Sequence, residues 1–536
     1  MPLHIYLFRE CRGLAHRTKP NEEASITTSG RNDMKVLRRW IAWVSGSLSL
    51  SALSLALSFR PAQAESRATF AAYCQQSSMD IAQKDSDRKA SLSSDQEAQK
   101  RYRATLSRHA KYLNDCRQQN ALKIEGIWLR LYPCDAQPGK VDEVLDRIVD
   151  RGYNQVFVET FFNGQVLLPA ATNRTAWTSS LTSPGQENID LLAEVIRKGH
   201  DRGLKVTSWM FALNVGVDYV NKPGKQGIIA RNGRGQTTID SNLSSRDRNP
   251  TFNRDEAFAD PYHPTLRQDY LTLVDEIIKR RPDGIVFDYI RYPKGRGADS
   301  IADDLSDLWI FGEAAQAGFV QRATNQKGRD LIARYLRSGT ISTRDVADAD
   351  LRYPQEAEPQ WHGRLVARGE NQLPLEQRTQ VIQAELWRLA VGHAMQGVVD
   401  FVTLVSAPVQ RAGIPAGAVF FPDGNQTAGR GYDSRLQAWD RFPETIERYP
   451  MAYGVCGRTD CIMNQIQRVL SFSSNPSNVK PVIAGIWQQP HTNRPPLEVQ
   501  MQALRQSFPG LSSVSHFAYS WQEPDSDRDR KFCRSR

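Results

Sequence analysis

The segment DGIVFDYIRYP at residues 283–293 decides the fold. Residues 284–287 form a short apolar run, typical of a strand buried on both faces, and Asp288 follows the run directly. Before it, apolar side chains recur at helical spacing over residues 264–278, and Pro264 stands at the first helical position, which proline favours. A helix followed by a buried strand is the repeating unit of an α/β protein.

The same unit recurs on both sides of this segment. Apolar runs predict strands at residues 124–131, 156–158, 204–213, 284–287, 418–421, 450–453, 482–486 and 515–519. Helical patterns stand at residues 141–149, 191–196, 264–278, 434–447, 462–472 and 497–508. Eight strands over roughly 400 residues predict an α/β fold of the (β/α)8 TIM-barrel type. A doubly wound open sheet is the alternative, disfavoured because no Gly-rich phosphate turn follows any strand.

The first 64 residues predict an export signal. Basic residues within 35–39 precede an apolar, Ser-rich run over residues 41–59, and the motif AQA at residues 62–64 gives a small-x-small cleavage site. We expect a signal peptide over residues 34–64, preceded at residues 1–33 by an upstream extension outside the native protein. An uncleaved membrane anchor is the alternative.

Further segments complete the predicted organisation. Residues 65–122 are rich in Ala, Gln, Lys and Arg, which predicts a helical hairpin or spacer. The barrel spans residues 123–525, and residues 526–536 are a tail. Residues 294–373 are a polar insertion after strand four with patchy helix signals. Because βα loops lie at the catalytic face of a barrel, we expect this insertion to form a lid or a wall of the substrate groove.

The cysteines agree with export. Seven are present, and Cys11 lies in the expected extension. The other six are an even number, which predicts disulfides in an exported chain. The pairs that we expect are Cys74 with Cys116 across the hairpin, Cys456 with Cys461 in a loop, and Cys134 with Cys533 at the C-terminus. Zinc is the alternative for Cys456 and Cys461, although no second ligand pair stands at finger spacing.

Charge and motifs exclude several classes of function. The formal net charge is +10, but residues 1–64 carry nine Lys or Arg against four Asp or Glu, so the remainder is only mildly basic. This charge fits a mild attraction to an anionic envelope surface, and no basic cluster interleaved with aromatic residues indicates nucleic-acid binding. No His-Glu-x-x-His, Gly-x-Ser-x-Gly or P-loop motif occurs. We expect no metal, no cofactor and no nucleic-acid partner.

Barrel geometry selects the candidate site. A polar residue at the carboxyl end of a barrel strand faces the catalytic mouth. Strand four offers Asp288 and strand two offers Glu159, and glycoside hydrolysis needs two such carboxylates, one as acid and one as nucleophile or base. Arg291 closely follows Asp288 and is expected to keep that carboxylate ionised at neutral pH. The candidates for binding a sugar are Arg130, Asn163, Trp209, Asn214, Asp260, Arg291, Tyr292, Tyr453, Trp487 and Trp521.

Structural roles are the alternatives for several of these residues. Asp288 could cap its strand or pair with Arg291, and Asp260 could be a helix-start residue ahead of Pro264. The Trp residues are individually more typical of a core than of a sugar platform. The apolar run before Asp288 and the aromatic residues after it favour a site role for that carboxylate.

Residues 283–293 closely resemble the fourth-strand signature of the glycosyl-hydrolase-like barrels called family 10 glycosylhydrolase, or DUF187-type, proteins. The run IEGIW at residues 124–128 looks like the family's opening strand, and VET at 158–160 with Asn163-Gly164 resembles the second strand of its cyanobacterial-type branch. Three more segments resemble the family: Asp260-Pro261 with Pro264 and Arg267, Trp387-Arg388, and Pro450–Tyr453. The resemblance covers roughly 400 residues. The run FFPD at residues 420–423 and the long insertion depart from the family pattern.

The resemblance implies hydrolysis of glycosidic bonds in an envelope or extracellular polysaccharide, with peptidoglycan glycan strands as a candidate. Carried over to this sequence, it implies Asp288 as the catalytic carboxylate and Glu159 as the second one. The expected partner is therefore a glycan, met by a secreted or periplasmic protein, or by a membrane-anchored one if the signal is not cleaved. The alternative function is a glycan-binding barrel without turnover that serves as an envelope scaffold.

Overall fold

A computed structural model describes residues 73–93, 95–244 and 255–533. The expected upstream extension at residues 1–33 and the expected signal peptide at residues 34–64 lie outside these described residues.

Two helices that pack on each other precede the barrel, α1 (Ser78–Ser91) and α2 (Gln96–Gln119). Ser77 and Asp95 cap their first turns by accepting hydrogen bonds from backbone N–H groups. The Cys74–Cys116 disulfide joins the chain before α1 to the end of α2.

Strands within the described residues build the barrel and two small additions. They are β1 (Ile124–Leu129), β2 (Gln155–Phe162), β3 (Gln165–Pro169), β4 (Thr178–Leu181), β5 (Lys205–Phe211), β6 (Gly284–Asp288), β7 (Ile301–Ala302), β8 (Ala416–Phe420), β9 (Thr427–Ala428), β10 (Gly431–Asp433), β11 (Glu447–Ala452), β12 (Val482–Ala484) and β13 (Ser513–Phe517). Parallel pairing runs through β1, β2, β5, β6, β8, β11, β12 and β13 in turn. Because β1 pairs with both β2 and β13, the sheet closes, and the predicted (β/α)8 barrel is confirmed.

Helices follow most barrel strands and cover the outside of the sheet. They are α3 (Lys140–Asp150), α4 (Leu191–His200), α5 (Val217–Val220), α6 (Thr238–Ser244), α7 (Pro264–Ile278), α8 (Glu313–Val320), α9 (Gln326–Ser338), α10 (Thr343–Arg352), α11 (Leu375–Arg411), α12 (Asp460–Phe472), α13 (Leu497–Ser507), α14 (Tyr519–Gln522) and α15 (Pro524–Lys531). Among the described residues, α11 alone is long and apolar enough to cross a membrane, but it packs against α7 and β8 as a barrel helix.

The helix predicted over residues 434–447 is wrong. The chain there forms turns and a short 3-10 helix at Trp439–Arg441, and strand β11 already begins at Glu447. Pro443 has no backbone N–H to continue a helix, and its ring would clash with the preceding turn. Near the start of the segment, Arg435 forms ion pairs with Asp423 at 3.0 Å and with Asp433 at 2.7 Å, and the chain there makes a turn instead of a helix.

The insertion after β6 holds more regular structure than its patchy helix signals predict. It contains α8, α9 and α10, and its short strand β7 pairs antiparallel with β10 from the loop after β8. Lys294 also binds Asp433 at 2.6 Å across these two loops. The insertion is therefore joined to the neighbouring loop beside the carboxyl ends of β6 and β8.

An aromatic layer fills the barrel below its carboxyl end. The Trp128 ring stacks on Phe157 at 4.2 Å, and Tyr449 meets both rings edge-on. Gly126 makes room for this stack, because a Cβ there would lie 2.7 Å from the Phe157 ring. The layer forms an aromatic floor under the strand ends.

The C-terminal residues are anchored to the first βα loop. Residues 526–531, predicted as tail, belong to α15, where buried Arg530 donates to both carboxylate oxygens of Asp135 at 2.8 and 2.7 Å. The structure forms disulfides between the three expected pairs, including Cys134–Cys533 and Cys456–Cys461. Cys456, Asp460 and Cys461 are the one group of the described residues whose ligand atoms lie close enough to hold a metal ion. The Cys456–Cys461 disulfide uses both of its sulfurs, which disfavours the zinc alternative. Three disulfides are typical of an oxidising compartment.

Candidate active site

A cleft of about 270 Å³ lies at the carboxyl ends of the barrel strands. Its lining is Trp128, Arg130, Glu159, Trp209, Phe211, Asp288, Tyr289, Arg291, Val419, Phe421, Met451, Tyr453 and Phe517. Carboxylates, arginines and aromatic rings thus meet in one concave surface, the combination that sugar binding and acid–base chemistry require.

A second cavity, of about 460 Å³, lies outside the barrel between α1, α3 and α15. It is larger, but no aromatic residue lines it and its charged side chains pair with one another, as Arg147 does with Glu143 and Glu523. It offers neither a platform for a sugar ring nor a strand-end carboxylate, so the strand-end cleft is the better candidate.

Asp288 is the last residue of β6, and its carboxylate lies at the floor of the cleft. The backbone N–H of Tyr289 donates to one of its oxygens at 2.6 Å, and the indole N–H of Trp209 donates to the other at 3.1 Å. Burial raises the pKa of Asp288 to about 6, although these two hydrogen bonds and the charge of Arg291 oppose the rise. The expected effect of Arg291 is therefore present but smaller than the effect of burial.

Tyr289 has a left-handed backbone conformation, with φ of +53°. A bulky residue rarely adopts this conformation, which costs about 1–3 kcal/mol and tends to occur at functional sites. Here the turn aims the Tyr289 N–H at Asp288, while the Tyr289 ring stacks on Phe211 at 4.1 Å.

Glu159 lies in β2 and is paired with Arg130 from the end of β1. The guanidinium of Arg130 binds both carboxylate oxygens, one of them at 3.0 Å, and rests on the Phe162 ring at 4.5 Å. The Glu159 side chain is fully buried, whereas 43% of the Arg130 side chain is exposed. Burial raises the pKa of Glu159, and Arg130 opposes this rise, so the carboxylate and its partner behave as one unit.

Trp209 lies on β5, the strand between those that carry the two carboxylates. It stands opposite Glu159 in the pairing of β2 with β5, and its indole reaches Asp288 on the next strand. Trp128 and Phe517 meet its ring edge-on at 5.0 and 6.3 Å. These contacts fix the indole, and with it the hydrogen bond to Asp288.

The strands that carry these residues lie in a segment that matches a known protein family. Residues 123–307 match the family model described as Glycosyl hydrolase-like 10. The first half of the barrel is similar to the glycosyl hydrolase-like 10 family. The resemblance predicted from the sequence is confirmed over these residues, and the matched segment contains β1, β2, β5 and β6 with Arg130, Glu159, Trp209, Asp288 and Arg291.

The solved structures that match this chain have low sequence identity to it. A hypothetical protein from Ruminiclostridium thermocellum ATCC 27405 is 17% identical, with a TM-score of 0.23 over 31% of this chain and 77% of that one. A glycoside hydrolase family 20 β-N-acetylglucosaminidase is 9% identical, with a TM-score of 0.37 over 77% and 67%. A GH18 chitinase from Pseudoalteromonas aurantia is 10% identical, with a TM-score of 0.34 over 76% and 98%. No protein with a curated description matches the chain.

Half of the residues that the sequence nominates line the cleft. Besides the two carboxylates, they are Arg130, Trp209, Arg291 and Tyr453. Three of these four lie within residues 123–307, the segment that matches the family model, and Tyr453 follows β11 directly. The strand-end rule therefore selects side chains that converge in space.

The polar candidates outside the cleft lining hold loops together. Asn214 is fully buried, donates to Asn163 at 3.1 Å and accepts from the Ala257 N–H at 3.2 Å. Asp260 is also buried and accepts from the N–H groups of Tyr262 and Ala315, which attaches the first turn of α8. These contacts place the three residues outside the cleft lining, and their role in sugar binding stays a prediction.

The aromatic candidates outside the lining are placed by packing. Tyr292 has no exposed surface and lies in the core. Trp487 donates to the Tyr153 hydroxyl at 3.3 Å and meets the Tyr73 ring edge-on. Trp521 contacts Phe517 at 5.8 Å, one ring away from the cleft. These three rings therefore lie outside the cleft lining, and their role in sugar binding stays a prediction.

Several residues that line the cleft were not predicted from the sequence as site residues, namely Trp128, Phe211, Tyr289, Val419, Phe421, Met451 and Phe517. Phe211 could have been found, because it lies two residues after Trp209 and side chains two apart in a strand share a face. Tyr289 could not, since a residue next to Asp288 in a strand would point away from the cleft. Its left-handed conformation is what brings it to the lining.

Burial of Asp288 predicts a pH-dependent effect on stability. Its folded pKa of about 6 lies above the ordinary value of 3.8, so the stability that this carboxyl contributes is complete below about pH 4 and is lost as the pH rises through 6. We expect the stability of Asp288→Asn, which cannot ionise, relative to that of the wild type to be greater at pH 7.5 than at pH 4 by about 2–3 kcal/mol. Urea unfolding at both pH values measures this. An equal difference at both would show that the carboxyl is not strained by burial.

Proposed function

We propose that the chain is an exported glycoside hydrolase that acts on a cell-envelope or extracellular polysaccharide, with peptidoglycan glycan strands as a candidate. The observation that carries this proposal is Asp288, a buried carboxylate with a pKa near 6 at the floor of an aromatic strand-end cleft. The match of residues 123–307 to a glycosyl hydrolase-like family supports it. Export is supported by the signal-like pattern over residues 34–64 and by the three disulfides.

Asp288 acts in its ionised form, as nucleophile or as general base towards a water. Its two hydrogen-bond donors, the Tyr289 N–H and the Trp209 indole, hold the carboxylate in one orientation. A pKa near 6 leaves it ionised at neutral pH but more basic than an ordinary aspartate. Aromatic faces such as Phe211 and Phe517 exclude water and offer apolar surfaces to a sugar ring.

Glu159 is the proposed acid, since it is the other carboxylate in the cleft lining. Burial favours its protonated form, and the charge of Asp288 does so as well. Arg130 favours the ionised form, so proton donation requires this pair to loosen when substrate enters. Because 43% of the Arg130 side chain is exposed, the guanidinium has room to move.

The pH dependence of the reaction follows from this assignment. If Asp288 acts ionised, kcat/KM falls about tenfold per unit as the pH drops below about 6. Initial rates on a soluble glycan between pH 4.5 and 8 measure the profile. A rate that instead rises as the pH falls through 6 would assign Asp288 the acid role.

The function itself is tested by release of reducing ends from denuded peptidoglycan strands and from exopolysaccharides, with binding measured in parallel. Release supports the hydrolase. Binding without release supports the alternative, a glycan-binding scaffold, which the tight pairing of Glu159 with Arg130 would suit.

A further inference from the structure

Arg291 stands out among the arginines at the mouth of the barrel. It lines the cleft, three residues beyond Asp288, and its guanidinium lies among three rings: Tyr289 at 4.6 Å, Phe258 at 5.4 Å and Phe421 at 5.7 Å. Ring faces attract a guanidinium and hold it flat, which leaves its N–H edge directed away from the rings. The position of the charge is therefore fixed by packing.

The neighbouring arginines are neutralised by carboxylates, and Arg291 is not. Arg130 pairs with Glu159, and Arg435 pairs with Asp423 and Asp433. Within the described residues, the one hydrogen bond of Arg291 goes from a terminal nitrogen to the Tyr292 carbonyl at 3.1 Å, and no ion pair is formed. A guanidinium has five N–H donors, so most of its capacity remains for a ligand.

Asp288 does not use this capacity. Both of its oxygens are occupied by the Tyr289 N–H and the Trp209 indole, and the influence of Arg291 on it is electrostatic, without a hydrogen bond. The cleft thus contains a half-buried cation that forms no ion pair within the described residues and can bind an anion from outside them. A carboxylate, one of the anions found on sugars, matches the planar fork of a stacked guanidinium and can bind it through two parallel hydrogen bonds.

We propose that Arg291 binds the carboxylate of an acidic sugar, so that the glycan received by this cleft carries a carboxylate next to the bond at Asp288. The position of the cleaved bond at Asp288 rests on the proposed function, whereas the binding of a carboxylate by Arg291 does not. Two sources share the chemistry: a uronic acid, with its carboxylate on the ring, and the lactyl ether of a muramic acid without attached peptide.

The test compares each polymer with its own neutral form. Binding to polygalacturonate and to denuded peptidoglycan strands is measured before and after reduction of the carboxylates to alcohols, at a salt concentration near 0.15 M, which screens non-specific attraction. The wild type should lose at least about tenfold in affinity for one polymer when its carboxylates are reduced. The polymer that shows the loss identifies the source of the carboxylate.

Arg291→Gln should bind the acidic and reduced forms of that polymer equally, and Arg291→Lys should keep part of the preference because it retains the charge but not the flat fork. The matched control is Arg197→Gln, which removes one charge from an exposed helix position and should keep the preference intact. Equal binding of native and reduced polymers by the wild type would overturn the proposal, as would an unchanged preference in Arg291→Gln. Since the readout is binding, absence of hydrolysis would count against the proposed function and not against this inference.

Discussion

Asp288→Asn is expected to lower kcat/KM for glycan hydrolysis by about 10²–10⁴-fold, the range typical of removing a group that transfers protons in the transition state. The amide has nearly the same shape and can still accept from the Tyr289 N–H. It cannot attack as a nucleophile, and it cannot take a proton from water. Affinity for the glycan should change little, because the aromatic lining and Arg291 remain.

Asp283→Asn is the matched control for this prediction. Asp283 precedes the other end of the same strand, where it accepts from the Val206 N–H at 2.7 Å and contacts His200 at 2.8 Å. The substitution is chemically identical but lies at the opposite end of β6 from the cleft. A similar loss of kcat/KM in both variants would mean that the effect comes from the strand and not from chemistry at Asp288.

The second large effect concerns stability. Arg117 in α2 pairs with Glu125 in β1 at 2.6 Å, and both side chains are almost completely buried. Arg117 also donates to the backbone carbonyls of Tyr73 and Gly152, so it connects the N-terminal helices to the base of the barrel. We expect Arg117→Met to lower the free energy of unfolding by about 3–5 kcal/mol, because it leaves Glu125 buried without its cation. Urea denaturation at pH 7.5 measures the change.

A double variant separates the lost pair from lost packing. In Arg117→Met with Glu125→Leu the uncompensated charge is gone, and most of the stability should return. An unchanged free energy of unfolding in Arg117→Met alone would contradict the connecting role of this arginine. A double variant as unstable as the single one would assign the loss to the backbone hydrogen bonds of Arg117.

The barrel could be predicted from the sequence because its strands are buried on both faces. Apolar runs such as residues 284–287 and 156–158 leave few alternatives to a parallel strand, and the closing pair β1–β13 completes what their number suggested. The false helix at residues 434–447 shows the limit of this reasoning. Its apolar residues do recur at helical spacing, but they pack from an irregular loop. Pro443 is incompatible with a helix interior, and Arg435 forms ion pairs in place of a helical turn.

The site could be predicted only in part, for a related reason. Asp288, Glu159 and Trp209 follow from the rule for strand ends, and they do meet in the cleft. The hydrogen bonds of Asn214 and Asp260 to loop residues could not be predicted in this way, because their partners are distant in sequence. Tertiary contacts also decide that Arg130 forms an ion pair with Glu159, whereas Arg291 forms none within the described residues.

The proposed activity of this barrel is the cleavage of glycosidic bonds at Asp288. The most direct measurement is the release of reducing ends from denuded peptidoglycan strands and exopolysaccharides by the wild type and by Asp288→Asn, side by side at pH 7.5. We expect steady release by the wild type from at least one polymer and almost none by Asp288→Asn, although both proteins bind that polymer. Equal release by the two proteins, or none by either from a polymer that both bind, would contradict it.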